Sequence, residues 1–201
     1  DKYFKLMNNL PLLMIIENSD EKITAKEVID LDINEQHIND YFRYSVENGK
    51  YKKEYFDFSL EKVYATIEKA KFSDLLSLYG FMHGTNVWSG NAEVLFDDGI
   101  PLSELIYCRE DVYAFIYEKL KYKCCENPAG IAFEIKENVR KGVYANRMPI
   151  ETEKLLLECD VPRWYVESMK KIRYLFPKAH IIVSIKHDIC EFVKNCKIEV
   201  M

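Results

Sequence analysis

The sequence predicts a mainly helical fold. Seven glycines and six prolines in 201 residues are too few for the many tight turns of a sandwich or barrel. Apolar residues recur at helical spacing through most of the chain. That length can bury one good core or two small ones. A composition of 48% apolar and 30% charged residues is that of an ordinary soluble globular protein.

The first fifty residues have their own rhythm. "YFKLMNNLPLLMIIENSD" is helically spaced but interrupted by Pro11, and "ITAKEVIDLD" is a short amphipathic helix that Thr24 can cap. "INEQHINDYFRYSVENGK" is a longer helix ending at Gly49, with Ile38, Tyr41, Phe42 and Val46 on one face. Three helices followed by the basic "KYKKEY" have the layout of a winged helix-turn-helix. Against a groove-reading role, the third helix carries Glu35, Asp40 and Glu47, which repel phosphate. A small helical packing domain over residues 1–53 is therefore the plainer expectation.

From Phe58 the organisation changes. "FSLEKVYATIEKAK" reads as a helix with Leu60, Val63 and Ile67 inward. "FSDLLSLYGFMHGTNVW" reads as a second helix running into a glycine-punctuated loop, with Trp88 as a core anchor. "DVYAFIYEKLKYK" and "PAGIAFEIKENVRKG" follow, the latter opened by Pro128 at a favoured first-turn position. "ETEKLLLECD", "VPRWYVESMKKIRYLF" and "KAHIIVSIKHDICEFVKNC" complete a second domain, residues 54–201.

The totals exclude several classes. Net charge is −5, so the chain has no overall surplus for a nucleic-acid backbone, and any such contact must be local. Among six cysteines there is no C-x-x-C pair, and Cys124-Cys125 suit neither zinc nor an easy disulfide. With no signal peptide and no long apolar run, free thiols in the cytoplasm are expected.

Four stretches have residues suited to binding an anion. In "FPKAH", Pro177 ends one helix and Lys178 and His180 open the next, where free N–H groups and the helix dipole favour phosphate. The same residues also read as a solvated lysine and a hydrogen-bonded imidazole. "GFMHGTNVW" offers His83, Thr85 and Asn86 between glycines that permit a tight turn or a ligand's approach. In "YCREDVY", Arg109 begins a helix whose Glu110 and Asp111 are accounted for by the dipole alone. "VRKG" puts Arg140 and Lys141 at a helix C-terminus, where basic residues are expected on structural grounds.

Taken in order, "FSDLLSLYGFMHGTNVW", "NAEVLF", "LSELIYCREDVYAFI", "AFEIKENVRKG" and "DVPRWYVESMKKIRYLFPKAH" resemble consecutive segments of the PolC-type DNA polymerase III alpha subunit. The resemblance runs over about residues 54–185 and is strongest from Phe72 to His180. It implies helical fingers that hold an incoming deoxynucleoside triphosphate against primer–template DNA. Lys178 and His180 would approach the triphosphate, with Arg140, Lys141, Arg109, His83 and Thr85 lining the same cleft.

The departures from that family are specific. Its catalytic carboxylates lie in a palm, which nothing here matches, and Asp30 and Asp32 lack the surrounding palm sequence. The chain alone is thus expected to be inactive as a nucleotidyltransferase. It should need no cofactor by itself, since Mg²⁺ is expected only with a palm. After His180, Lys186, His187 and Asp188 interrupt an apolar face with charge that is costly to bury unpaired. "KCCENPAG" is longer than the matching family loop. The alternative to a fingers module is a polymerase-derived interaction or regulatory protein that no longer binds nucleotide.

Overall fold

The computed structural model describes residues 33–52, 58–123 and 126–198. The described residues are mainly helical and contain no β-strand, only an isolated bridge between Thr85 and Tyr174. The helices are α1 (Glu35–Glu47), α2 (Glu61–Tyr64), α3 (Phe72–His83), α4 (Glu93–Asp97) and α5 (Arg109–Lys121). They continue with α6 (Pro128–Arg140), α7 (Val143–Asn146), α8 (Ile150–Glu158), α9 (Arg163–Lys171) and α10 (Lys178–Ile198). None is long and apolar enough to cross a membrane. Two of the three helices expected before Gly49, the Asp30/Asp32 pair and Cys124-Cys125 lie outside the described residues.

The described chain forms two compact units. One combines residues up to Tyr79 with those from Ala179 onward, and the other is Gly80–Lys178. In the first, Asn34 caps α1 by accepting from the His37 N–H at 2.9 Å, and His37 returns the bond to the Asn34 N–H. Ile38, Tyr41 and Phe42 are buried as their spacing requires. Gly49, at φ +73°, ends the helix. Tyr41 and Tyr44 then meet Phe192 of α10, with ring centroids 6.0 and 5.0 Å apart.

The charges after His180 are accommodated differently from one another. Asp188 accepts from the Lys50 ammonium at 2.6 Å and from the Tyr41 hydroxyl at 3.0 Å. Lys186 is buried, and burial pulls its ammonium below the usual lysine range.

One expected element is much shorter than its periodicity. The helix over "FSLEKVYATIEKAK" is confined to Glu61–Tyr64, although Leu60 and Val63 are buried. The turn tightens at once, with Thr66 and Ile67 N–H groups donating to the carbonyls three residues back. Farther along, the Ala70 N–H donates to the Asn39 side chain at 2.7 Å, a bond outside any helix.

In the second unit, α5 and α6 form an antiparallel pair. It is sealed by Val112, Ile116 and Leu120 against Ala132, Ile135 and Val139, all buried. Trp88 is 1% exposed and packs against Phe81, with centroids 5.1 Å apart. Pro149 and Pro162 stand directly before α8 and α9, which are tied by Lys170 to Glu153 at 2.8 Å. After Lys171 the backbone becomes extended, at Ile172 φ −69° and ψ 128°. Ile172 and Leu175 are fully buried while Arg173 and Tyr174 face solvent, a strap from Ile172 to Pro177 rather than the continued helix its cationic run suggests.

Because burial disfavours the charged form of Lys186, the folded chain holds that proton less tightly than the unfolded chain. Stability attached to this group therefore rises as pH climbs towards the usual lysine value. Replacing Lys186 by Met should stabilise the protein by about 1 kcal/mol at neutral pH. The difference in urea midpoint should shrink above about pH 10. An unchanged or lowered midpoint at neutral pH would contradict this account.

Candidate functional site

The strap is where the predicted site residues of the second unit come together. Pro177 supplies no N–H and biases Phe176 to an extended backbone, which leaves the strap's carbonyls and N–H groups open to partners from other elements. The Thr85 N–H donates to the Tyr174 carbonyl at 3.0 Å, and the Arg173 N–H donates to the Thr85 carbonyl at 3.0 Å. The Leu175 N–H donates to the Arg140 carbonyl at 3.3 Å, and the Arg109 N–H donates to the Phe176 carbonyl at 3.2 Å.

These are helix-end groups. Arg109 opens α5 and Arg140 closes α6, positions whose N–H and C=O have no partner within their own helix. The strap satisfies both. In return, Glu110 of α5 accepts from the Lys178 N–H at 2.7 Å, capping the first residue of α10. Glu110 and Asp111 are thus more than dipole complements.

Lys178 is buried, with its side chain 9% exposed. Its ammonium is paired with the Asp111 carboxylate and lies 5.2 Å from the centre of the Tyr107 ring. The buried Cys108 thiol donates to the same carboxylate at 3.1 Å. Burial first, and Asp111 second, push that thiol well above its ordinary range. His180 is exposed in the first turn of α10.

At the end of α6 the balance is reversed. Glu137 faces three cations: Lys136 at 2.8 Å, Arg140 at 2.7 Å and Lys141 at 3.7 Å. One carboxylate against three cations leaves a local excess of two positive charges. Hydrogen bonds from Arg140, then Lys136, hold the Glu137 carboxyl down to about 2. Lys141 is exposed. Arg109, by contrast, is matched by its neighbour Glu110 at 2.8 Å.

Two glycines fit close approaches of the chain to itself. Gly142, at φ +68°, lies so near the strap that a Cβ would stand 2.5 Å from the Arg173 carbonyl oxygen. Gly80 lies inside α3, and its missing side chain makes room for Tyr107, whose carbonyl oxygen would be 2.6 Å from a Cβ. The space at Gly80 is filled by the protein and admits no ligand. His83 is exposed and its ring meets Phe176 edge-on, with centroids 5.8 Å apart.

Sequence reasoning passed over Arg173. It is exposed, forms no ion pair among the described residues, and has its backbone against Gly142. The one local signal was Pro177, which biases the residue before it to extended backbone. The burial of Ile172 and Leu175 with Arg173 and Tyr174 turned out follows no simple period and was set by the fold.

Comparison with known proteins agrees with these motifs. A segment of 128 residues, 61% of this chain, is 44% identical to DNA polymerase III PolC-type of Lactococcus lactis. The Bacillus cereus protein of that name is 41% identical over 129 residues, 62% of the chain, and the Staphylococcus aureus one 46% over 110 residues, 54% of the chain. This chain is similar to one segment of PolC-type DNA polymerase III. It spans only 7–8% of the length of those relatives. No family model matches it.

Asp111→Asn should destabilise the protein by about 2–3 kcal/mol, because it removes the carboxylate paired with the buried Lys178 ammonium. The double variant Asp111→Asn, Lys178→Met should recover part of that loss in urea unfolding. Equal destabilisation in both would show that the pair is not coupled. The Glu137 carboxyl carbon should titrate near 2 by NMR. Its folded value is depressed, so stability from this carboxylate is fully present above the usual carboxylate range and is lost as pH falls through about 2. A midpoint near the ordinary glutamate value would show the ion cluster does not persist in solution.

Proposed function

We propose that this chain is a fingers module of the PolC polymerase type, facing an incoming deoxynucleoside triphosphate and primer–template DNA. The observation that supports it best is the convergence of Thr85, Arg109, Arg140 and Lys178 on one strap, within a chain similar to those polymerases. Phosphoryl transfer needs positive charge held where a polyphosphate's charge develops. In this reading the excess cations at Arg140, Lys141 and Arg173 meet the polyphosphate first. Lys178, already matched by Asp111, engages it only by exchanging that carboxylate for a phosphate oxygen.

Among the described residues no group of three or more His, Cys, Asp or Glu side chains is disposed to hold a metal ion. The two Mg²⁺ ions of polymerase chemistry belong, in this proposal, to a palm that the module serves. A second reading is favoured by the Lys178–Asp111 pair itself. A lysine neutralised within the fold suits a protein that keeps the family architecture for binding a partner and has given up nucleotide.

The two readings separate in a low-salt titration of fluorescent deoxynucleotide and labelled primer–template into the folded chain. As a fingers module, the wild type should bind both, with affinity falling steeply as salt is added. Replacing Arg140 and Lys141 together by Gln should weaken triphosphate binding about tenfold. A folded wild type that binds neither ligand, or a double variant that binds as well as the parent, would overturn the nucleotide-facing reading in favour of the partner-binding one.

A further inference from the structure

On the open side of the strap three rings form a ladder. The centroid of Phe176 lies 5.8 Å from that of His83 and 5.3 Å from that of Tyr174, both edge-to-face at 64° and 85°. Phe176, half-buried, is the middle rung, and the outer rungs His83 and Tyr174 reach solvent, Tyr174 with 39% of its surface exposed. The backbone that presents Tyr174 is fixed on both sides: the Tyr174 carbonyl accepts from the Thr85 N–H and the next N–H, of Leu175, donates to the Arg140 carbonyl.

The charges around it are net positive, three cations and Arg173 against the single Glu137 carboxylate. Arg173 precedes Tyr174 and makes no ion pair among the described residues, and the Arg140 cluster lies across the strap with its excess of positive charge. An exposed aromatic face on a fixed backbone, beside Arg173 and a net-positive Arg140 cluster, suits a ligand with a flat π-face and an attached phosphate.

We propose that Tyr174 is a stacking platform for a nucleobase whose phosphates are held by Arg173 and Arg140. The base comes either from a free nucleotide or from an unpaired position in a DNA strand. This rests on the nucleotide-facing reading for the ligand class, but it assigns a recognition element that phosphate binding does not require. The aromatic ring, rather than its hydroxyl, carries the interaction, since stacking uses the π-face.

The test measures binding to the wild type, Tyr174→Ala and Tyr174→Phe of four probes. These are a deoxynucleoside triphosphate, inorganic triphosphate, an oligonucleotide carrying 2-aminopurine, and the same oligonucleotide with an abasic site there. Tyr174→Ala should weaken the base-bearing probes about tenfold and leave inorganic triphosphate and the abasic strand unchanged. Tyr174→Phe should bind like the wild type. Quenching of 2-aminopurine that disappears only in Tyr174→Ala marks the strand as the source of the base, and an effect confined to the deoxynucleotide marks the free nucleotide. Equal affinity of wild type and Tyr174→Ala for both base-bearing probes overturns the platform while leaving a phosphate grip standing. Tyr174-dependent binding of the 2-aminopurine strand without any binding of inorganic triphosphate keeps the platform and overturns the grip. Failure of a folded wild type to bind any probe overturns both. Unchanged circular dichroism and urea midpoint in Tyr174→Ala establish that a loss reflects the missing ring.

Discussion

The organisation of the Gly80–Lys178 unit depends on the backbone of six residues, Ile172 to Pro177. A helix end leaves N–H or C=O groups that must find partners, and an extended strap is one of the few segments able to supply both kinds. Here the strap gives a carbonyl to the start of α5, takes one from the end of α6 and bridges to Thr85 after α3. Helices brought together only by apolar faces would be free to slide by a fraction of a turn. Directional bonds to one short segment remove that freedom, and Gly142 lets the α6–α7 connection approach closely enough for them.

That arrangement also sorts the cations. Lys178 and Arg109 are each paired with an acid of the first turn of α5 and are close to neutral as pairs. Arg140, Lys136 and Lys141 share Glu137, and Arg173 has no partner among the described residues. In a chain of net charge −5, positive potential therefore gathers beside the strap and not at the lysine that the motif makes most prominent. Structural pairing and anion binding draw on the same residue types. Only the local count of opposite charges tells them apart.

Much of this was legible in the amino-acid order. Helical periodicity placed α1, α3, α5, α6, α8 and α9, and prolines and glycines marked their ends. The motif resemblance led to PolC-type polymerases, to which the chain is indeed similar. The helix expected over residues 58–71 is one turn: the Thr66 and Ile67 N–H groups bond three residues back, and that of Ala70 goes to Asn39, a partner remote in sequence. Glu110 and Asp111 looked like simple dipole complements because their partner, Lys178, lies 67 or more residues away. Gly80 looked like room for a ligand because the residue that fills the space, Tyr107, belongs to another segment.

What the sequence determined by itself is local: helix identity, helix ends, the extended residue before Pro177, and the resemblance of its ordered motifs. These follow from backbone sterics and from the period at which apolar side chains recur, both set by near neighbours. Which cation meets which carboxylate, which glycine faces a backbone and which aromatic ring stays at the surface were decided only by the tertiary structure. Electrostatic pairing and close packing depend on distance in space, and the chain order that encodes them does not reveal that distance.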